Sequence, residues 1–119
     1  SKDMSKIEWK NKTAKEIKNL VRGLNPIMGA YSMFNVKKIK FWKVDALDET
    51  DIEVKNILGD IDLESEKAGN VLLADSKRGL FIKTINGILS VQEIQGENAR
   101  KMSINDFLRG TSMENGVFE

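Results

Sequence analysis

Between Asn70 and Ile94 the chain reads NVLLADSKRGLFIKTINGILSVQEI, three short apolar runs separated by two turn signals. Runs of this length, rich in branched and aromatic residues and bounded by Gly, Asn and Asp, are strands, so the spacing predicts a β-meander. The first turn is DSKRG, with Gly79 at its end and Lys77 and Arg78 exposed at its tip. The second is built on Asn86-Gly87, a pair suited to the positive backbone angles of a tight hairpin. Leu80 with Ile82, and Leu89 with Val91, alternate as the core-facing positions. A meander cannot bury its apolar face alone, so the rest of the chain must cover it.

A further strand lies upstream, in VKKIKFWKV. Period two places Ile39 and Phe41 on one face and Lys38, Lys40 and Trp42 on the other, with Lys37 and Lys43 near the ends. Cations interleaved with an aromatic suit phosphate contact and base or sugar stacking, and the same pattern also makes an ordinary solvated sheet surface. Before it stands a helix over residues 14–22. Thr13 and Glu16 form a capping box, and Ile17, Leu20, Val21 and Leu24 recur at helical spacing. Gly23 is placed as the left-handed stop, and Pro26, the single proline, fixes the exit. Gly29 and Ala30 then allow a close backbone approach before Tyr31 begins an extended run. The acidic residues 45–66 read as a connection, with NILGDIDLE as a short strand. In ENARKMSINDFLRG, Ser103 is the N-cap of a short helix with Asp106 at its third position and Gly110 as its stop. The fold class is therefore mainly β, a small open Greek-key barrel with an N-terminal helix and a short C-terminal helix.

With 119 residues there is room for one core. The net charge of +1 conceals a division: residues 1–43 carry +8, residues 44–66 carry −8, and the remainder carries +1. Such asymmetry can offer a basic face to a polyanion, or let the two blocks solvate and pair with one another. Cysteine and histidine are both absent, which excludes a disulfide framework, thiolate zinc and histidine-dependent nucleophilic catalysis. The carboxylates have no partner motif, and neither GENAR nor NGI has the spacing of a phosphate loop. No catalytic residue and no metal site are expected, which leaves a binding or positioning role. No apolar run reaches the roughly 20 residues of a membrane span, and the first residues lack a signal-peptide core, so no membrane partner is expected.

Taken in order, KIEW, TAKEIKNLVRGLNPIMGAY, KKIKFWKV, GNVL, GLFIKTINGILSVQEIQ and RKMSINDFLRG resemble the C-terminal domain of the methionyl-tRNA formyltransferases. The most specific parts are RGLNP with GAY after it, and Lys101-Met102-Ser103 followed by Phe107-Leu108 and Gly110. Two departures are local. Ile27 and Met28 stand where the family has an aromatic and a proline, and ENARK replaces a glycine-lysine-lysine approach to Met-Ser. The resemblance implies an interdomain linker over 1–12, a C-terminal domain of oligonucleotide-binding-like β-barrel fold over 13–119, and a fragment separated from its catalytic domain. In the family that N-terminal domain, Rossmann-like, transfers formyl from 10-formyltetrahydrofolate to initiator methionyl-tRNA, so the cofactor is expected to bind there and none here. The implied partners are initiator methionyl-tRNA and the chain's own N-terminal catalytic domain in cis, in the cytoplasm. Its implied role is electrostatic positioning of tRNA in translation initiation by Arg22, Lys37, Lys38, Lys40, Lys43, Lys77, Arg78, Arg100 and Lys101. Two alternatives stay open: the C-terminal domain of a sibling formyltransferase acting on a sugar nucleotide or formyl-folate, and a purely structural accessory domain.

Overall fold

The structure, a computed structural model, describes residues 3–119. Helix α1 spans Ala14–Leu24, followed by strands β1 (Ala30–Phe34) and β2 (Lys37–Leu47). Helix α2 (Ile52–Leu58) and a 3-10 turn (Leu63–Ser65) lead to β3 (Val71–Asp75), β4 (Gly79–Lys83) and β5 (Ile88–Gln95). Strand β6 (Lys101–Ser103) and helix α3 (Ile104–Gly110) complete the order. Mainly β is the correct class. The strands form one antiparallel, six-stranded open sheet in the order β1-β2-β5-β4-β3, with β6 beside β5.

The first turn signal acts as the sequence predicts; at the second, only Gly87 of the Asn86-Gly87 pair takes positive φ, and the four residues 84–87, not a two-residue turn, join Lys83 to Ile88. Gly79 and Gly87 adopt φ of 104° and 87°, and β3, β4 and β5 pair in sequence through Ala74 with Leu80 and Ile82 with Leu89. Strand β5 outruns β4: Leu80 sits opposite Val91, and beyond it Met102 of β6 takes over opposite Ile94. The alternating residues Ile39, Phe41, Leu80, Ile82, Leu89 and Val91 are all buried in the main core. Helix α1 closes one side of that core with Ile17 and Val21.

At its centre lies an aromatic cluster drawn from distant parts of the chain. Phe118 sits 5.8 Å from Trp9, 4.8 Å from Phe34 and 5.4 Å from Phe41, ring centre to ring centre. Such tilted and edge contacts add to the area that the rings remove from water. Ile7 and Trp9, in the segment read as a linker, are buried in this core, and the Trp9 indole N–H donates to the Ser32 hydroxyl at 2.8 Å. Ser1 and Lys2 of that segment lie outside the described residues. The final residues span the open side of the sheet. Met33 of β1 exchanges two backbone hydrogen bonds with Glu119, while the Phe118 N–H donates to the Gly69 carbonyl and the Val71 N–H to the Gly116 carbonyl.

Three local expectations are corrected. Helix α1 runs through Gly23 to Leu24, and its cap is Asn25, in extended backbone, whose N–H donates to the Val21 carbonyl. The Asn25 side chain donates to the Trp42 carbonyl at 2.8 Å, so a tertiary hydrogen bond fixes the end of the helix where a left-handed glycine was expected. Helix α3 likewise includes Gly110 and ends at Thr111. Finally, NILGDIDLE is no strand. Asp51 caps α2 by accepting from the Glu53 N–H, and Val54 packs with Phe81 and Ile88 in a second apolar cluster that Ile57, Leu58 and Leu63 extend. The acidic connection therefore crosses the outside of β4 and β5 as a short amphipathic helix.

Candidate nucleic-acid interface

Strand register builds the basic surface. Tyr31 of β1 stands opposite Lys40 of β2, Lys40 opposite Gln95 of β5, and Gln95 opposite Lys101 of β6. Residues opposed across antiparallel strands share a face, so these four side chains form a row across the sheet. Lys38 lies two positions along β2 from Lys40, on the same side. Its ammonium nitrogen is 4.2 Å from the centre of the Tyr31 ring.

Trp42 anchors the middle of the surface. The Lys101 ammonium lies 4.4 Å and the Lys40 ammonium 5.8 Å from its ring centre. The negative face of an indole attracts cations, which holds both lysines over one ring. The indole N–H donates to the Gln95 side-chain oxygen at 2.8 Å. Behind the ring is Gly29, at φ 70°, where an added Cβ would approach Trp42 to 3.0 Å. That is the close backbone approach anticipated at Gly29. Trp42 is only 7% exposed, however, so it serves as a platform for lysines rather than as an open stacking surface for bases.

Carboxylates tune the margins. The Tyr31 hydroxyl donates to Asp3 at 2.7 Å, and Ser5 donates to the other Asp3 oxygen from its hydroxyl and its backbone N–H. These hydrogen bonds, that from Tyr31 foremost, lower the Asp3 pKa to about 2. The same bond to Asp3 raises the Tyr31 hydroxyl pKa above its ordinary value. Glu97 accepts from the Lys38 backbone N–H at 3.0 Å, beside a shallow cleft of about 340 Å³ lined by Lys38, Lys40, Gln95 and Ala99.

Of the nine candidate cations, Lys38, Lys40 and Lys101 converge on this surface. Lys37 is exposed at the start of β2, and Arg100 is exposed immediately before β6. Lys43 follows a register shift in β2 and stands opposite Glu93. Arg22 projects from the last turn of α1, where its guanidinium donates to Asn19. Lys77 and Arg78 occupy the β3–β4 turn towards the opposite edge of the sheet, with Arg78 2.7 Å from Asp75. Lys18 and Asp45 join the basic and acidic blocks at 2.9 Å. Sequence reasoning missed Tyr31 and Gln95 as members of the site. Their signal was the hairpin register, which follows once the two-residue β1–β2 turn is recognised.

Among the described residues no cluster of carboxylates could hold a metal ion, and no helix is long and apolar enough to cross a membrane. Residues 1–112 match the family described as Formyl transferase, C-terminal domain. The chain is 32% identical over 117 residues to a protein named methionyl-tRNA formyltransferase from Clostridioides difficile, covering 98% of this chain and 33% of that one. It is 35% identical over 104 residues to the protein of the same name from Carboxydothermus hydrogenoformans, covering 87% and 29% respectively. The chain thus spans about one third of the length of the curated relatives it matches.

Proposed function

Since the chain belongs to the formyl transferase C-terminal domain family, we propose that it is the tRNA-binding and positioning domain of a methionyl-tRNA formyltransferase. The observation that carries this reading is the convergence of Lys38, Lys40 and Lys101 around Tyr31 and Trp42. Strands β2 and β6 carry those cations, and the Tyr31 and Trp42 rings hold their ammonium groups in place, so little side-chain order remains to be imposed when phosphates bind. Lys37 and Arg100, exposed next to Lys38 and Lys101 in sequence, and Arg22, Lys43, Lys77 and Arg78 supply longer-range attraction from the surroundings. Contacts of this kind orient a polyanion and carry little sequence information.

Formyl transfer from 10-formyltetrahydrofolate to initiator methionyl-tRNA is assigned to the part of the enzyme that corresponds to the remaining length of the relatives. Selection of the initiator tRNA falls to that part as well, in the cytoplasm where translation proceeds. The present domain holds the tRNA body so that the acceptor end reaches the catalytic centre. The relatives' shared name favours this reading over a sugar-nucleotide or formyl-folate enzyme.

The test is a salt series with fluorescent initiator tRNA and an elongator tRNA. Binding to both is expected, falling steeply with salt because each neutralised phosphate releases counterions. The double variant K38E/K40E is expected to weaken binding at least roughly tenfold and to flatten the salt slope by about two charges. Affinity unchanged by that variant, with stability lost, would assign the surface to packing against another domain instead.

A further inference from the structure

The β1–β2 hairpin closes through a two-residue tip, Asn35-Val36, with φ of 50° and 59°. Positive angles at both positions match the right-handed twist of the flanking strands and ordinarily select Asn and Gly. Asn35 fits. Val36 does not: its branched Cβ crowds the backbone in the left-handed region. Among the described residues, every other position with positive φ is glycine or asparagine. Nor does burial offset the strain, because Val36 is 91% exposed. A strained, solvent-facing apolar side chain is thus fixed at the tip of a hairpin whose next residues are Lys37 and Lys38.

We propose that Val36 is an RNA-contacting residue that enters the minor groove of an RNA duplex while Lys37 and Lys38 hold the phosphates beside it. The inference rests on the RNA-binding reading above and adds a specific contact to it. A-form RNA has a wide, shallow minor groove lined by ribose and base edges, which a two-residue tip can reach, whereas its deep, narrow major groove shuts side chains out. The charge around the tip is complementary to that ligand, since Lys37, Lys38 and Lys40 lie within four residues of Val36 and the hairpin belongs to the basic block. Stacking on unpaired bases would require an aromatic face, which valine lacks. Strain held where no internal contact demands it is characteristic of a site whose geometry serves a ligand.

The decisive variant is V36G, which places the most favoured residue in the left-handed position and removes the side chain. Binding of the full 119-residue chain to a fluorescent blunt RNA duplex, and to a single strand of the same length, is measured across salt. V36G is expected to bind the duplex roughly three- to tenfold more weakly, the scale of one lost apolar contact. Its salt slope is expected to match the wild type, since no charge changes, while K38A lowers the slope by about one. The melting temperature is expected to hold or rise. V36N, polar but equally suited to positive φ, is expected to weaken binding likewise and decides the matter if V36G melts lower. Wild-type duplex affinity in both variants would overturn the Val36 contact while leaving the RNA reading intact. Equal weakening on the single strand would overturn the groove assignment. A wild-type chain that binds neither RNA at low salt would overturn both readings.

Discussion

Tyr31 is the residue on which several parts of the basic surface meet. Its backbone exchanges hydrogen bonds with Ser5 and Ile7, its hydroxyl donates to Asp3, and its ring lies under the Lys38 ammonium. The N-terminal segment is therefore fastened to β1 at the point where that strand joins the cationic row. One consequence is a measurable titration. The Asp3 carboxyl, brought down to about 2 from 3.8, favours the folded state above its unfolded pKa, and that contribution is lost as pH falls through about 2. Replacing Tyr31 by phenylalanine removes the first cause of the shift. In Tyr31→Phe the Asp3 midpoint, followed by carboxyl carbon NMR, is expected to rise towards 3.8, and the stability advantage of the wild type to shrink as the pH is lowered from 4 towards 2. A midpoint that stays near 2 would show that Ser5 alone sustains the shift.

Among the elements, α1 is the one whose construction is most local. Thr13 accepts from the Glu16 N–H at 3.1 Å and Glu16 accepts from the Thr13 N–H at 3.0 Å, a reciprocal box that satisfies two otherwise unpaired donors. Thr13→Ala is expected to cost about 1 kcal/mol, read as a lower urea midpoint with unchanged slope, whereas an unaffected midpoint would mean that packing of Ile17 and Val21 alone sets the helix. The cap, the periodic stripe behind it and the three-stranded meander were legible because each is specified by neighbours in sequence. Strand β6 was not: three residues are too few for a period, and Lys101–Ser103 become a strand only because β5 extends past β4 and offers them a free edge. Helix α2 was hidden for a related reason. Val54 is its one buried residue, and the partners that order it, Phe81 and Ile88, come from strands about thirty residues further on. At the surface, the lysine alternation of β2 was readable, but the burial of Trp42 was not, because Gly29, Gln95 and Lys101 reach it from three other parts of the chain.

For the whole molecule, the decisive contacts join the two ends of the chain to the middle. Ile7 and Trp9 enter the core from one end and Met113 and Phe118 from the other. The family match stops at residue 112, yet Phe118 fills the centre of the aromatic cluster. Removing residues 113–119 is therefore expected to destabilise the domain by at least about 3–5 kcal/mol, the range for deleting one large buried aromatic side chain. That is a large share of a typical domain's total stability. Chemical denaturation would show it as a lowered midpoint, and a truncated chain with the wild-type midpoint would refute the central role of Phe118. The same tail has a second effect, on self-association. By hydrogen-bonding Met33 at one edge of the sheet and the Gly69–Val71 segment at the other, residues 116–119 occupy backbone groups that an open sheet would present as a template to further strands. The tail thus covers groups open to edge-to-edge polymerisation, and its loss would free the Met33 groups of β1, beside the Tyr31 groups that residues 5–7 still occupy, together with the start of β3.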